Sequence, residues 1–198
     1  MQFKDISTDT ATHYRLAENE QCVFFMWNRG GDITLELSGP NAQAHVFAFF
    51  IGKKSEQCIL TISQKHLAPK TVSRVLVKSI LHDESSFSYQ GTLHIATEAT
   101  LSDASQENRN LLLSPQAKAF SEPILEILTD NVRCHHAATT SSLNTEQLFF
   151  SQTRGLSRKQ AEELLIQGFF QSSLDTLEPL VSSQENEKVL ALIRKKSL

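Results

Sequence analysis

A mainly β body followed by a helical tail is the fold class this sequence predicts, on three observations. Short segments alternating apolar and polar residues recur through the first two-thirds of the 198-residue chain. Gly, Pro, Asp and Asn punctuate them, with little helical pattern in between. Near Leu143 the apolar period changes from two to about 3.6, and helix-capping residues follow.

The strand segments come in order. Residues 32–39, DITLELSG, alternate Ile33, Leu35 and Leu37 with Thr34 and Glu36 and stop at Gly39-Pro40. Residues 44–54, AHVFAFFIGKK, are aromatic and apolar and break at Gly52. Residues 58–63, 71–81, 87–97 and 123–130 repeat the theme with β-branched enrichment. Strands that follow one another without helices disfavour a doubly wound sheet and leave a sandwich, a barrel or a solenoid. No exact internal repeat chooses among the three.

In the tail, Asn144 with Gln147 opens a short helix, and Gly155 is placed to end it in the left-handed conformation. Ser157 with Gln160 caps a second helix, with Leu156 available to staple against Ala161. Ala161, Leu164, Leu165, Gly168 and Phe169 form its expected buried face, and Gly168 implies a close helix contact. Pro179 interrupts the pattern, and residues 182–196 read as another capped helix with a basic end. The boundary therefore falls at 143/144, with residues 1–143 as the β body and 144–198 as the helical subdomain.

Hydrophobic residues at 40% and charged residues at 21% describe a globular chain rather than a disordered one. A net charge of -3 supplies no electrostatic case for nucleic acid or an anionic membrane. No apolar run approaches the roughly 20 residues that span a bilayer. The N-terminal residues carry charges where a secretory signal needs an apolar stretch, so the cytoplasm is the expected location. Cys22, Cys58 and Cys134 are an odd count with no C-x-x-C pair, against both a disulfide framework and a self-contained zinc site.

Few segments carry chemistry. Gly52-Lys53-Lys54-Ser55 is a basic turn, because Phe47 stands where a phosphate loop needs glycine and Lys54 where it needs Ser or Thr. His45, His66, His82 and His94 are dispersed among strands and read as structural or solvated. A sugar-active solenoid would need paired carboxylates on one β face, and the strands offer only scattered ones. Cys134-His135-His136 differs. On a strand, Cys134 and His136 share a face and His135 points the other way. Thiolate and imidazole suit iron or zinc, yet two donors do not complete a site. The pair is either a core cysteine beside a surface histidine or part of a site that another chain completes.

Four segments in register carry a resemblance. HLAPKTVSRVLVKSILHDES places His66, Ser73 and Lys78 in an H-x-x-P-x-T-x-S-x-x-x-x-K arrangement. The stretch from Tyr89 to Ser114 pairs aromatic-x-Gly (Tyr89, Gly91) with Gln106, Asn108 and Leu111 to Ser114. PILEILTDNVRCHHAAT and EQLFFSQTRGLSRKQAEELLIQGFF follow. Together, residues from about 30 to 172 resemble the SufB/SufD iron–sulfur cluster assembly proteins.

The resemblance implies a right-handed parallel β-helix followed by a small C-terminal helical subdomain. It implies a non-catalytic scaffold rather than an enzyme, whose β-helix pairs with a SufB-like or identical chain. It implies that Phe149, Phe150, Arg154, Gly155, Phe169 and Phe170 dock a SufC-like ABC ATPase. No tightly bound cofactor is implied; a transient cluster at the subunit interface is, with His136 and Cys134 toward it. Ala117 and Ala137 stand where SufB-type members carry a cysteine and a glutamate, and His136 falls on the SufD-type histidine. The chain thus looks SufD-like and, against the longer N-termini of family members, shortened. The alternative is a structural subunit that keeps the ATPase dock and binds no cluster.

Overall fold

The computed structural model describes residues 1–196. Eleven strands lie among them: β1 (Gln2–Asp5), β2 (His13–Leu16), β3 (Gln21–Trp27), β4 (Gly31–Leu37), β5 (Gln43–Gly52), β6 (Gln57–His66), β7 (Val72–Leu81), β8 (Ser86–Ile95), β9 (Asp103–Leu112), β10 (Lys118–Ile127) and β11 (Arg133–Ser142). Odd and even strands form separate sheets, β1-β3-β5-β7-β9-β11 and β10-β8-β6-β4-β2. All pairings are parallel. This is a two-sheeted parallel β-helix. Gln43 lies beside Val72, Val72 beside Asp103 and Asp103 beside Arg133, so a later coil takes about 30 residues.

Strand alternation sets the core. Inward residues such as Leu35, Val46, Ile62, Val75, Val77, Phe87 and Tyr89 stack between the sheets and are buried. The corners turn on left-handed residues: Asn19, Asn41, Lys70 and Leu101 recur at one, and Lys54 and Asp83 at another. Asn41 Nδ2 donates to Asn19 Oδ1 at 3.1 Å, tying successive corners together. Asn and Asp tolerate this conformation; Leu101 there is unusual for a bulky side chain.

The odd-strand sheet is apolar on its outer face too. Val23, Phe25, Trp27, Phe47, Phe49 and Ile51 point away from the solenoid interior and are covered by the helices α2 (Arg158–Leu177) and α3 (Ser183–Lys196), while α1 (Thr145–Thr153) packs on α2. Ile166, Phe170, Leu174 and Leu177 of α2 and Val189 and Ile193 of α3 supply the cover. Phe170 packs edge-on to Phe49 with centroids 5.1 Å apart and lies 6.2 Å from Trp27. This explains why β3 and β5 read as near-continuous apolar runs, since both faces are buried.

The caps follow the sequence. Asn144 accepts from the backbone N–H of Glu146 and Gln147, Ser157 and Gln160 form a capping box, and Gly155 sits at φ +94°. Two expectations for α2 are corrected. Leu164 is exposed, and Leu165, Gly168 and Phe169 line an open groove, while the buried face lies on the Ile166–Phe170–Leu174–Leu177 stripe. A side chain added at Gly168 would meet nothing within 4 Å, so no close helix contact explains this glycine. The apolar strip on β3 and β5 decided which side of α2 is covered, and nothing within the helix encodes that.

Candidate functional site

β10 and β11 are the last strands of their sheets, each with one edge free of any strand among the described residues. The effect on side chains is plain one coil apart. Leu93 and Ile95 of β8 are 0% exposed, whereas their register partners Leu125 and Ile127 of β10 are 49% and 38% exposed. The same inward positions lose their cover because no further coil stacks on them. Phe120, Ile124 and Leu128 are exposed as well, so β10 shows apolar surface on both faces.

Cys134 and His136 lie on this terminal coil. Cys134 continues the inward column Ala44, Ser73 and Ala104, and His136 the column Val46, Val75 and Gln106. Both therefore face the solenoid interior at its open end. His135 extends the outward column of His45, Arg74 and Ser105, so the opposed facing expected from strand alternation is what the fold has. Cys134 is a free, exposed cysteine. Partial burial pushes its thiol above the ordinary range, and the Asp103 carboxylate adds to this. His136 is partly buried, and its Nδ1 is shut off from solvent with no hydrogen-bond partner. No group of three His, Cys, Asp or Glu among the described residues could hold a metal ion. This chain alone thus brings one sulfur and one nitrogen donor to the open coil.

Behind the pair runs a buried polar ladder that composition did not reveal. Gln106 Nε2 donates to Gln64 Oε1 at 3.2 Å, and Gln64 Nε2 donates to Ser73 Oγ at 2.6 Å and to the Ser105 carbonyl at 3.3 Å. His66 bridges Ser73 Oγ and Thr71 Oγ1, both at 2.7 Å. Burial drives the His66 pKa down to about 4, with Arg74 contributing, so the ring is neutral. The H-x-x-P-x-T-x-S motif is thereby given a physical reading: its His, Thr and Ser satisfy one another inside the solenoid. The signal was present in β9, whose inward residues Gln106, Asn108 and Asn110 recur at period two. Their polarity hid the strand.

The residues expected at the ATPase dock separate. Phe149 and Phe150 on α1 are exposed, and Arg154 lies over the Phe150 ring at 5.0 Å. Gly155 ends α1, Phe169 is partly buried, and Phe170 is fully buried against the sheet. A groove of about 1080 Å³ is lined by residues that include Leu143, Gln147, Leu164, Leu165 and Phe169, and Phe150 lines a smaller hollow that shares Glu146, Gln147 and Leu165 with it. No helix of the described residues is long and apolar enough to cross a membrane.

Comparison with known proteins agrees with this architecture. Residues 15–169 match the family described as SUF system FeS cluster assembly, SufBD core domain. The chain is 29% identical over 183 residues to the iron–sulfur cluster assembly protein SufD of Escherichia coli, covering 90% of this chain and 43% of that protein. It is 35% identical over 133 residues to a SufBD family protein of Synechocystis, covering 67% and 29%. With SufB of Bacillus subtilis it shares 28% over 159 residues, covering 78% and 34%. The chain spans less than half the length of these relatives. With the solenoid, the helical tail and a match over most of its length, the chain belongs to the SufB/SufD family of iron–sulfur cluster assembly proteins.

Proposed function

We propose that the protein is a non-catalytic scaffold subunit of a Suf-type iron–sulfur assembly complex. The observation that carries this reading is the open terminal coil, where Cys134 and His136 face inward beside uncovered strands with exposed apolar residues. Unpaired backbone edges together with Phe120, Leu125 and Ile127 call for a second chain, and a relative of the same fold satisfies both needs by edge-to-edge pairing. A cluster under assembly is cargo at that junction: this chain brings a thiol and an imidazole, and the partner the remaining ligands. The exposed Phe149 and Phe150 and the adjoining groove suit a SufC-like ATPase. Membership of the family supports these partners and a cytoplasmic setting.

The test reconstitutes wild type and His136→Ala anaerobically with iron and sulfide, alone and with a SufB-like chain, following cluster absorbance and thermal stability together. Reduced cluster yield at unchanged stability supports the ligand role, and equal yield removes it. His135→Ala, on the outward face, is the control and leaves yield unchanged. A second reading, a structural subunit that docks the ATPase and binds no cluster, is favoured by Ala117 and Ala137 at the positions where SufB-type members carry Cys and Glu. Co-purification with the ATPase and a SufB-like chain, with no dependence of cluster yield on His136, would select it.

A further inference from the structure

The hydrogen bonds inside the solenoid have a direction, and that direction ends at His136. A carbonyl oxygen only accepts, so the Gln64 amide atom 3.3 Å from the Ser105 carbonyl is its Nε2. Gln64 Oε1 must then face Gln106, and the Gln106 atom meeting it at 3.2 Å is Nε2. Farther along, Thr71 Oγ1 has the Ala68 carbonyl at 3.1 Å and Ser102 Oγ at 2.8 Å to take its one proton, and with the proton so placed it accepts from His66 Nδ1. His66 is therefore protonated at Nδ1, and its bare Nε2 accepts from Ser73, which in turn accepts from Gln64. Every donor from Gln106 to Thr71 then points the same way, with the Ser105 carbonyl fixing the Gln64 end.

One acceptor heads this chain with nothing to accept: Gln106 Oε1 is buried and unpartnered, in a residue that is 0% exposed. The residue beside Gln106 in the next coil is His136, on the same inward face, and its buried Nδ1 is likewise unpartnered. Gln106 has little freedom to turn away. Its amide occupies the space left by Gly91, where an added Cβ would stand 2.3 Å from Cδ and Nε2. An amide oxygen only accepts, and an imidazole Nδ1 that carries the ring's proton is its complement; leaving both atoms unmet in a buried setting costs each its desolvation.

We infer that Gln106 is a positioning residue for His136: its Oε1 receives the Nδ1 proton of His136, directly or through one water, so that the Nε2 lone pair is left to face the open end of the solenoid. The inference rests on the reading of His136 as a ligand for what it is for, but not for whether it holds. A ligating imidazole needs one nitrogen bare and the other held by an acceptor, which fixes tautomer and ring direction. Gln106 supplies that acceptor from within the fold, and Gly91 makes room for it. The Gln106–Gln64–Ser73–His66–Thr71 series then gives the imidazole a rigid mount that reaches back to the Ala68 turn.

The experiment reads the proton without iron. Full-length protein with ¹⁵N-labelled histidine is studied by long-range ¹H–¹⁵N correlation at a pH where the rings are neutral, with single His variants to assign His66 and His136. Both rings are expected to carry the proton on Nδ1. In Gln106→Leu the Nδ1-protonated fraction of His136 falls at least twofold; Gln106→Glu, which keeps an acceptor, retains it. Gly91→Ala, which evicts the amide, reproduces the loss. A wild-type His136 protonated on Nε2 overturns the inference, as does a folded Gln106→Leu with an unchanged tautomer. If the Gln106 and Gly91 variants do not fold, the wild-type spectra still decide, because the tautomer of His136 is read there directly. A protein with the expected tautomer that assembles no cluster fails the ligand reading alone. Cluster assembly on the other tautomer fails this one alone.

Discussion

Lys78 of β7 donates through Nζ to the carbonyl of Phe169 in α2 and to Ser172 Oγ at 2.9 Å, and its ammonium lies 4.8 Å from the centre of the Phe169 ring. A lysine on the outer face of the solenoid is thus sealed beneath the helical tail, 1% exposed, with no carboxylate among the described residues bonded to it. It ties the two parts of the molecule together and is held by hydrogen bonds and a ring rather than by an ion pair.

Burial lowers the Lys78 pKa to about 8, with the Arg109 charge contributing. A depressed lysine is less protonated in the folded than in the unfolded chain between that value and its ordinary 10.5. Stability from this group therefore rises with pH across the window from about 8 to 10.5 and is constant below it. Lys78→Met should abolish the rise. Denaturant melts at pH 7.5 and 10 check this as the difference between wild type and variant, which cancels the opposing contribution of Cys22 and Cys58, whose thiols are raised to about 11.

His66 predicts the acid side. Its folded pKa of about 4 lies below its ordinary 6.5, so the unfolded chain takes up a proton that the folded chain refuses. Stability is lost as pH falls from 6.5 toward 4, by about 2 kcal/mol at pH 5 for this one group. Desolvation lowers the half-buried His45 to about 4 as well, with Arg74 contributing, and this adds to the slope. Thermal melts between pH 7.5 and 5 should show the loss, and it should shrink in His66→Gln.

Phe170 and Phe149 should respond oppositely. Phe170→Ala opens a cavity against Phe49 and Trp27 and is expected to cost about 3–5 kcal/mol. Trp27 fluorescence reports it directly. Phe149→Ala, on an exposed ring, should alter stability by no more than about 0.5 kcal/mol. If α1 docks the ATPase, it should weaken that binding measurably; unchanged affinity would move the dock elsewhere.

Pairing through the open coil is tested at β10. Leu125→Lys places a charge on an already exposed position, so folding should be little changed. Self-association, or binding of a SufB-like chain, should fall by at least about tenfold in sedimentation. Unaltered association would take the interface away from the terminal coil. Cutting the chain after Leu143 is a poor substitute, since it would bare Phe25, Trp27, Phe47 and Phe49.

Much of the architecture was legible residue by residue. Ile33, Leu35 and Leu37 announced β4, Asn144 and Ser157 announced the helix starts, and Gly155 the end of α1, because caps and period-two burial are local properties. Strand alternation alone set Cys134 and His136 against His135. What locality could not reach was decided by the coils. β9 does not read as a strand because Gln106, Asn108 and Asn110 face inward, and buried polar residues imitate a loop until their partners on other strands are known. The covered side of α2 was settled by Trp27 and Phe49, more than a hundred residues away. The chemistry of His136 depends in the same way on Gln106 beside it and Gly91 across the core. Sequence determined which residues could pair; stacking one coil on the next determined which ones did, because burial and hydrogen-bond partners belong to neighbours about 30 residues apart.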